Sequence, residues 1–277
     1  MIIKTNGLLQ ELSSLRIGGL YKTLYIPESI DELIKLLDEG KGEYLIGGGS
    51  NILINDKREF NEVICLRKFN NTIVYLENGK FEVGASVVIS KFIKFAEQHG
   101  YGGLESLFGI PCLIGGAIVS NCGYGDDYLK SIGAFVESVK VYDNGKVIVL
   151  KNNDCHFSYR DSIFKRRKYA ILSAVIKLNP MNKDDIEDGI NRRVVFNREY
   201  LNETPYTLGS VFCKSDSRIM ALMYKIRRSK GCRYSRCNMI GHCGDGTYHG
   251  YLRLLNDTVL LHRLLKKKCT PEIVVWK

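Results

Sequence analysis

The chain has 277 residues, enough for two or three compact lobes, and its 45% hydrophobic and 25% charged content is ordinary for a globular protein. A net charge of +10 suits polyanionic small molecules such as nucleotides and pyrophosphates, while Lys and Arg, bunched only at Lys165–Lys168 and Lys266–Lys268, are too dispersed for a nucleic-acid footprint. No apolar run reaches bilayer length, so membrane insertion is not expected.

From the N-terminus, Lys4, Thr5 and Asn6 arrive too early for a secretory leader. The nine cysteines are odd in number and irregularly spaced, and read as reduced thiols in a cytoplasmic protein. Residues 27–40 carry a helical stripe of Ile30, Leu33, Ile34 and Leu37, opened by Pro27-Glu28-Ser29 and closed by Gly40. A short strand, Glu43–Ile46, runs into a glycine turn, and Ile52–Ile54 follows as a second strand. Val63–Leu66, Thr72–Leu76, Lys80–Val83 and Ala85–Val88 read as further strands, and Ser90–His99 as a helix closed by Gly100. Val136–Tyr142 and Lys146–Leu150 flank Asp143-Asn144-Gly145, a hairpin signal. Tyr169–Leu178 is a strand stopped by Asn179-Pro180, and charged Lys183–Arg193 reads as a solvated helix linking to a C-terminal lobe.

Two glycine-rich segments stand out. The first, Gly47, Gly48 and Gly49 followed by Ser50 and Asn51, leaves backbone N–H groups free to wrap a pyrophosphate, and a plain tight turn is the alternative. It lacks the G-x-G-x-x-G spacing and the following helix of a nicotinamide dinucleotide fold. In the second, Ile110 and Pro111 fix an extended stretch, and Gly115, Gly116 and Ala117 offer another side-chain-free surface before Ser120 and Asn121. Two such loops suit a long dinucleotide with a diphosphate in its middle, although Gly and Ala also serve tight helix-on-sheet packing.

Taken in order, Leu15–Gly19, Ile46–Leu53, Leu104–Asn121, Tyr159–Lys165, Gly209–Phe212 and Pro271-Glu272 resemble the UDP-N-acetylenolpyruvoylglucosamine reductase family, in its shorter branch. The likeness is dense from about residue 12 to residue 212 and thin beyond. It implies an α+β FAD-binding fold of two α+β subdomains, expected at 1–66 and 67–190, with a third, C-terminal α+β substrate lobe at 191–277. The C-terminal tail is expected to return to the active site.

The resemblance also implies a two-stage reaction. NADPH reduces FAD, and hydride then passes to the enolpyruvyl ether of UDP-N-acetylglucosamine, giving UDP-N-acetylmuramate for peptidoglycan synthesis. Ser210 matches the family's proton donor, and Arg160 and Glu272 match the pair that stabilises the enolate-like intermediate. Chemically the set is coherent. A guanidinium meets a developing carboxylate charge with two parallel hydrogen bonds, a neutral Glu donates to the same group, and a held hydroxyl protonates a strongly basic carbanion. Lys214 and Tyr159 match substrate-contacting positions, the cofactor contacts fall on the two glycine-rich segments, and no metal or obligate protein partner is implied. No acid or Arg of the Rossmann type is present to choose between NADPH and NADH.

The chain departs from the family at three places. Cys213-Lys214-Ser215 stands where Lys-Asn-Pro is usual, Cys112 stands where glycine is usual, and Asn121–Gly125 is one residue short. A side chain at position 112 is expected to crowd the phosphate loop. The last lobe carries Arg227–Cys237 followed by His242, Cys243 and His249, which read as buried thiols among basic residues, as a remodelled diphosphate pocket, or as a zinc site of no standard spacing. Two other functions therefore stay open, the same chemistry on another enolpyruvyl sugar nucleotide and a flavin-binding protein without turnover.

Overall fold

The computed structural model describes residues 1–125, 128–200, 203–235 and 238–277. The chain divides into two compact units. One gathers 1–4, 24–48 and 62–195; the other gathers 5–23, 49–61 and 196–277.

The first unit is built on a five-stranded antiparallel sheet in the order Lys146–Lys151, Val136–Asp143, Ala170–Lys177, Lys80–Gly84, Ile73–Glu77. The Asn144-Gly145 turn has positive φ at both residues (44° and 85°), the geometry that matches strand twist in a two-residue hairpin. Helix α1 (Ile30–Asp38) is capped by Ser29, whose hydroxyl accepts from Glu32 N–H, and the chain leaves it through left-handed Gly40. Helix α2 (Ile89–Gln98) buries Ile89, Phe92, Ile93 and Ala96, and Phe92 meets Phe81 of the sheet edge-on. Helix α3 (Ile114–Ser120) packs on the Lys80–Gly84 and Ala170–Lys177 strands. Helix α4 (Lys183–Tyr200) is longer than its charge pattern indicates and buries Ile186 and Ile190. A short parallel pair sets Leu45 opposite Ile64 and Ile46 opposite Cys65.

The expected strand Ala85–Val88 is instead a turn, because its carbonyls serve a helix. Ala85 O accepts from Gly115 N–H (3.0 Å) and Val87 O from Ile114 N–H (2.8 Å), which satisfies the first turn of α3.

The second unit holds a four-stranded antiparallel sheet in the order Tyr206–Ser210, Met239–His242, Cys232–Ser235, Arg228–Ser229. Helices α5 (Ser217–Ile226) and α6 (Tyr248–Leu264) pack on each other, and α6 covers the sheet. The core joins Leu208, Val211, Phe212, Tyr234, Ile240, Tyr251 and Leu254 to Leu15, Ile17 and Leu53. Residues 5–23 and 49–61 thus group with the C-terminal lobe, whereas the expected bounds of 1–66, 67–190 and 191–277 follow chain order. The physical cause is long-range pairing. Val274–Trp276 forms a parallel ladder with Ile52–Ile54, and Ser14 Oγ donates to Thr207 O at 2.9 Å.

Candidate functional site

In the first unit the two glycine-rich segments meet. A Cβ on Gly48 would lie 2.9 Å from Pro111 O and 3.5 Å from Cys112 Cα, and one on Gly47 would lie 3.7 Å from Leu113 Cδ1. Arg67, which carried no motif signal, clamps the first segment. Its Nε donates to Gly47 O (3.0 Å) and its Nη2 to Gly48 O (3.1 Å). In a trans peptide the carbonyl and the following N–H point opposite ways, so holding both carbonyls leaves the Gly48 and Gly49 N–H groups directed away from the Arg67 side chain.

The second segment splits into inward and outward residues. Gly115 packs against Ala85, with a Cβ there 3.1 Å from Ala85 Cβ. Ala117 and Asn121, expected among the cofactor contacts, are fully buried. Asn121 adopts a left-handed conformation (φ 44°), donates from Nδ2 to Ser158 O at 2.7 Å and accepts from Gly133 N–H at 2.9 Å, so its amide serves the loop. Ser120 Oγ bonds back to Gly116 O at 3.0 Å. Gly116 is different: it is exposed, and a Cβ there would meet nothing within 4 Å. Pro111 is exposed and Ile110 half-buried.

The Cys112 side chain does not fill the loop. It turns into the core cluster against the Cys122 thiol, and that thiol together with burial pushes Cys112 well above the usual thiol range.

Arg160 sits at the tip of a two-residue turn closed by reciprocal backbone bonds between Ser158 and Asp161 (3.0 and 3.1 Å). Its φ of 55° is left-handed, a conformation that costs a non-glycine residue about 1 kcal/mol or more. Its Nη2 donates to Gly123 O (2.7 Å), and a Cβ on Gly123 would come within 2.6 Å of its Nη1. Asp161 pairs with Arg166. The guanidinium is therefore aimed by backbone carbonyls, with the Tyr159 ring 5.0 Å from it.

In the second unit the sheet register slips between Thr207 and Ser210. Left-handed Gly209 (φ 78°) takes up the slip, and its N–H donates to Thr207 Oγ1 at 3.2 Å. Such a bulge re-aims the next side chain, and Ser210 emerges exposed while Val211 and Phe212 are buried. Strand Phe212–Lys214 then pairs with Thr270–Pro271, and Glu272 N–H donates to Val211 O at 2.8 Å. Ser210 and half-buried Glu272, 62 residues apart in the chain, are thus tied across a single peptide. Exposed Lys214 faces Thr270 across this short pair.

Gly49 and Asn51 complete the junction. A Cβ on Gly49 would collide with Leu12 O. Asn51 Nδ2 donates to Glu272 O at 3.3 Å, and Asn51 O accepts from Val274 N–H at 3.0 Å. The Asn51 amide, expected on the cofactor, anchors the C-terminal segment. Half-buried Ser50 lies between them in chain order.

Among the described residues no group of three His, Cys, Asp or Glu is placed to hold a metal. His242 Nδ1 accepts from Gly244 N–H (3.0 Å) and its Nε2 donates to Leu15 O (2.6 Å), which occupies both ring nitrogens. Cys232 is buried with its thiol on Thr247 O, and burial pushes it up to about 11. Arg236 and Cys237 lie outside the described residues. Of the basic run, Arg227 pairs with Asp257 at 2.9 Å and Arg233 donates to Glu203 O at 2.8 Å.

These features define an α+β protein with an FAD-binding domain: a family profile described as FAD binding domain matches residues 22–151. The chain is 34% identical over 286 aligned residues to UDP-N-acetylenolpyruvoylglucosamine reductase of Pseudothermotoga lettingae, covering 99% of this chain and 98% of that one. It is 29% identical to the reductase of the same name from Thermotoga sp. strain RQ2, covering 95% and 90%. The crystal structure of UDP-N-acetylenolpyruvylglucosamine reductase from Thermus caldophilus superposes with a TM-score of 0.81 at 23% identity, covering all of both chains. The chain belongs to the UDP-N-acetylenolpyruvoylglucosamine reductase family. The likeness includes the C-terminal lobe, where the motifs thin out.

Proposed function

We propose that the chain is the FAD-dependent reductase that converts the enolpyruvyl ether of UDP-N-acetylglucosamine to UDP-N-acetylmuramate in peptidoglycan precursor synthesis, with NADPH as electron donor, in the cytoplasm. Family membership supports the activity. The observation that carries the residue assignment is the 2.8 Å bond from Glu272 N–H to Val211 O, which sets Glu272 beside Ser210.

The residues present fit a dinucleotide. Gly48 has no room for a side chain against Pro111, Gly116 opens to space, and the Gly47 and Gly48 carbonyls are held by Arg67, which would leave the neighbouring amides for a diphosphate. FAD, when bound, supplies the hydride that adds to the enolpyruvyl group. That addition drives charge onto the substrate carboxylate, which the Arg160 guanidinium, aimed by Gly123, would stabilise by donating directed hydrogen bonds. The family resemblance assigns Glu272 to stabilising the same developing charge. Ser210, exposed on a bulged strand, gives its hydroxyl proton to the neighbouring carbon.

Ser210→Ala tests the assignment. NADPH should still bleach the flavin at close to the normal rate, while reoxidation by the enolpyruvyl UDP-sugar should fall by about 10²–10⁴, the worth of a general acid. Unchanged reoxidation would remove Ser210 from the chemistry. The second reading, another enolpyruvyl sugar nucleotide, is favoured by Cys213-Lys214-Ser215 at the edge of the junction. Competing the two sugars under the same conditions decides between them.

A further inference from the structure

The serine assigned above as proton donor follows a residue that gives it freedom. Gly209, left-handed at φ 78°, is a swivel on its N-terminal side. A hydroxyl that must deliver a proton along one line needs the other side fixed. All three peptides on that side have partners. The Ser210–Val211 peptide donates from Val211 N–H to Asn238 O at 2.8 Å. The Val211–Phe212 peptide accepts from Glu272 N–H at 2.8 Å. The Phe212–Cys213 peptide accepts from Asn238 Nδ2 at 2.7 Å.

Two of the three restraints come from Asn238, one from its main chain and one from its side chain. The residue manages both because it is left-handed (φ 62°), a region that asparagine tolerates better than most residues. The arrangement also costs stability, since Asn238 Oδ1 is buried without a hydrogen-bond partner among the described residues. Glycine would serve the backbone of this turn equally well, so what the Asn238 side chain adds is its bond to Phe212 O.

We propose that Asn238 is a positioning residue of the reaction: by clamping the peptides that follow Ser210 it fixes the line of the Ser210 hydroxyl and the register of Glu272 beside it. The proposal rests on the reading of Ser210 as the proton donor. Asn238 touches no reacting atom in this role and acts through the Val211–Phe212 backbone.

Asn238→Asp and Asn238→Gly test it in the full-length holoenzyme. Both tolerate the left-handed backbone. Asp keeps the shape but sets an oxygen against the Phe212 carbonyl, and Gly removes the side chain. Reduction of the flavin by NADPH should stay within about twofold of wild type. Reoxidation by the enolpyruvyl UDP-sugar should slow roughly 10- to 100-fold, as expected for a misplaced reacting group, with the sugar KM little changed. Deuterium exchange in the peptide spanning residues 208–214 should accelerate in both variants, independently of turnover. Reoxidation at the wild-type rate in both variants would overturn the proposal. So would a parallel fall in both half-reactions, which would make Asn238 a residue of the fold alone. A wild-type flavin that the sugar fails to reoxidise would instead bring down the reading of the reaction itself, and this proposal with it.

Discussion

Gly115 and Gly116 adjoin in α3, yet their surroundings differ, Gly115 lying against Ala85 and Gly116 opening to space, and alanine at each position separates the consequences. At Gly116 the new methyl group meets nothing in the protein. Alanine is the better helix former by about 0.5–1 kcal/mol, so Gly116→Ala should raise the stability of the apoprotein by about that amount. A glycine kept against that gain needs a ligand that approaches the backbone. If the diphosphate of FAD lies over this turn, a methyl group there overpacks the contact by about 1–3 kcal/mol, which weakens FAD binding roughly 5- to 150-fold. At Gly115 the added Cβ sits 3.1 Å from Ala85 Cβ and 3.3 Å from Ala85 O, so strain in the fold opposes the propensity gain. Urea unfolding of the apoproteins and titration of FAD by quenching of its fluorescence measure both quantities. Gly116→Ala with higher stability and weaker FAD binding is expected. Wild-type FAD affinity in that variant would refute the placement of the diphosphate over α3.

The remaining predictions concern the second unit and the thiols. Tyr251 is wholly buried, with a hydroxyl that has no hydrogen-bond partner among the described residues, so Tyr251→Phe should stabilise the protein by about 1 kcal/mol in urea unfolding. Tyr234→Phe, which gives up bonds to Leu254 O and Thr258, should destabilise it by a similar amount; equal signs would contradict the hydrogen-bond assignment. Burial pushes Cys155 up to about 12 and Cys232 up to about 11, so iodoacetamide at pH 8 should label exposed Cys243 first and spare both, read by peptide mass spectrometry. Backbone N–H bonds from Ile219 and then Arg218 hold the Asp216 carboxyl below its ordinary range at the start of α5. Its contribution to stability is therefore present above the ordinary carboxylate range and lost as pH falls through the lowered folded value. Asp216→Asn should flatten the acid limb of a pH–stability curve, and an unchanged limb would rule out the linkage.

Local signals carried much of the first unit. The stripe ending at Gly40, the Asn144-Gly145 hairpin and the strand Lys80–Gly84 each declare themselves within a few residues. Ala85–Val88 reads as a strand from its apolar residues, while its carbonyls cap a helix some thirty residues on. Ile2–Leu8 and Leu20–Ile26 give no clear strand signal because Lys4, Thr5 and Asn6 in one, and Lys22 and Thr23 in the other, blur the alternation. The C-terminal strands, two to five residues each, are too short to show a period. Ser210, Arg160 and Glu272 were legible only through motifs in a fixed order. What joins Ser210 to Glu272 is a ladder between residues about sixty positions apart, and a single sequence does not encode which strands meet. Arg67 and Asn238 act through backbone carbonyls, and nothing in their sequence neighbourhoods marks such a role.

The most direct measurement is the absorbance of the purified protein, taken before and after anaerobic NADPH and again after the enolpyruvyl UDP-sugar is added. A flavin spectrum that bleaches with NADPH and recovers fully with the sugar is the predicted result. A protein that takes up no FAD, or a bleached flavin that no enolpyruvyl sugar nucleotide restores, would contradict it.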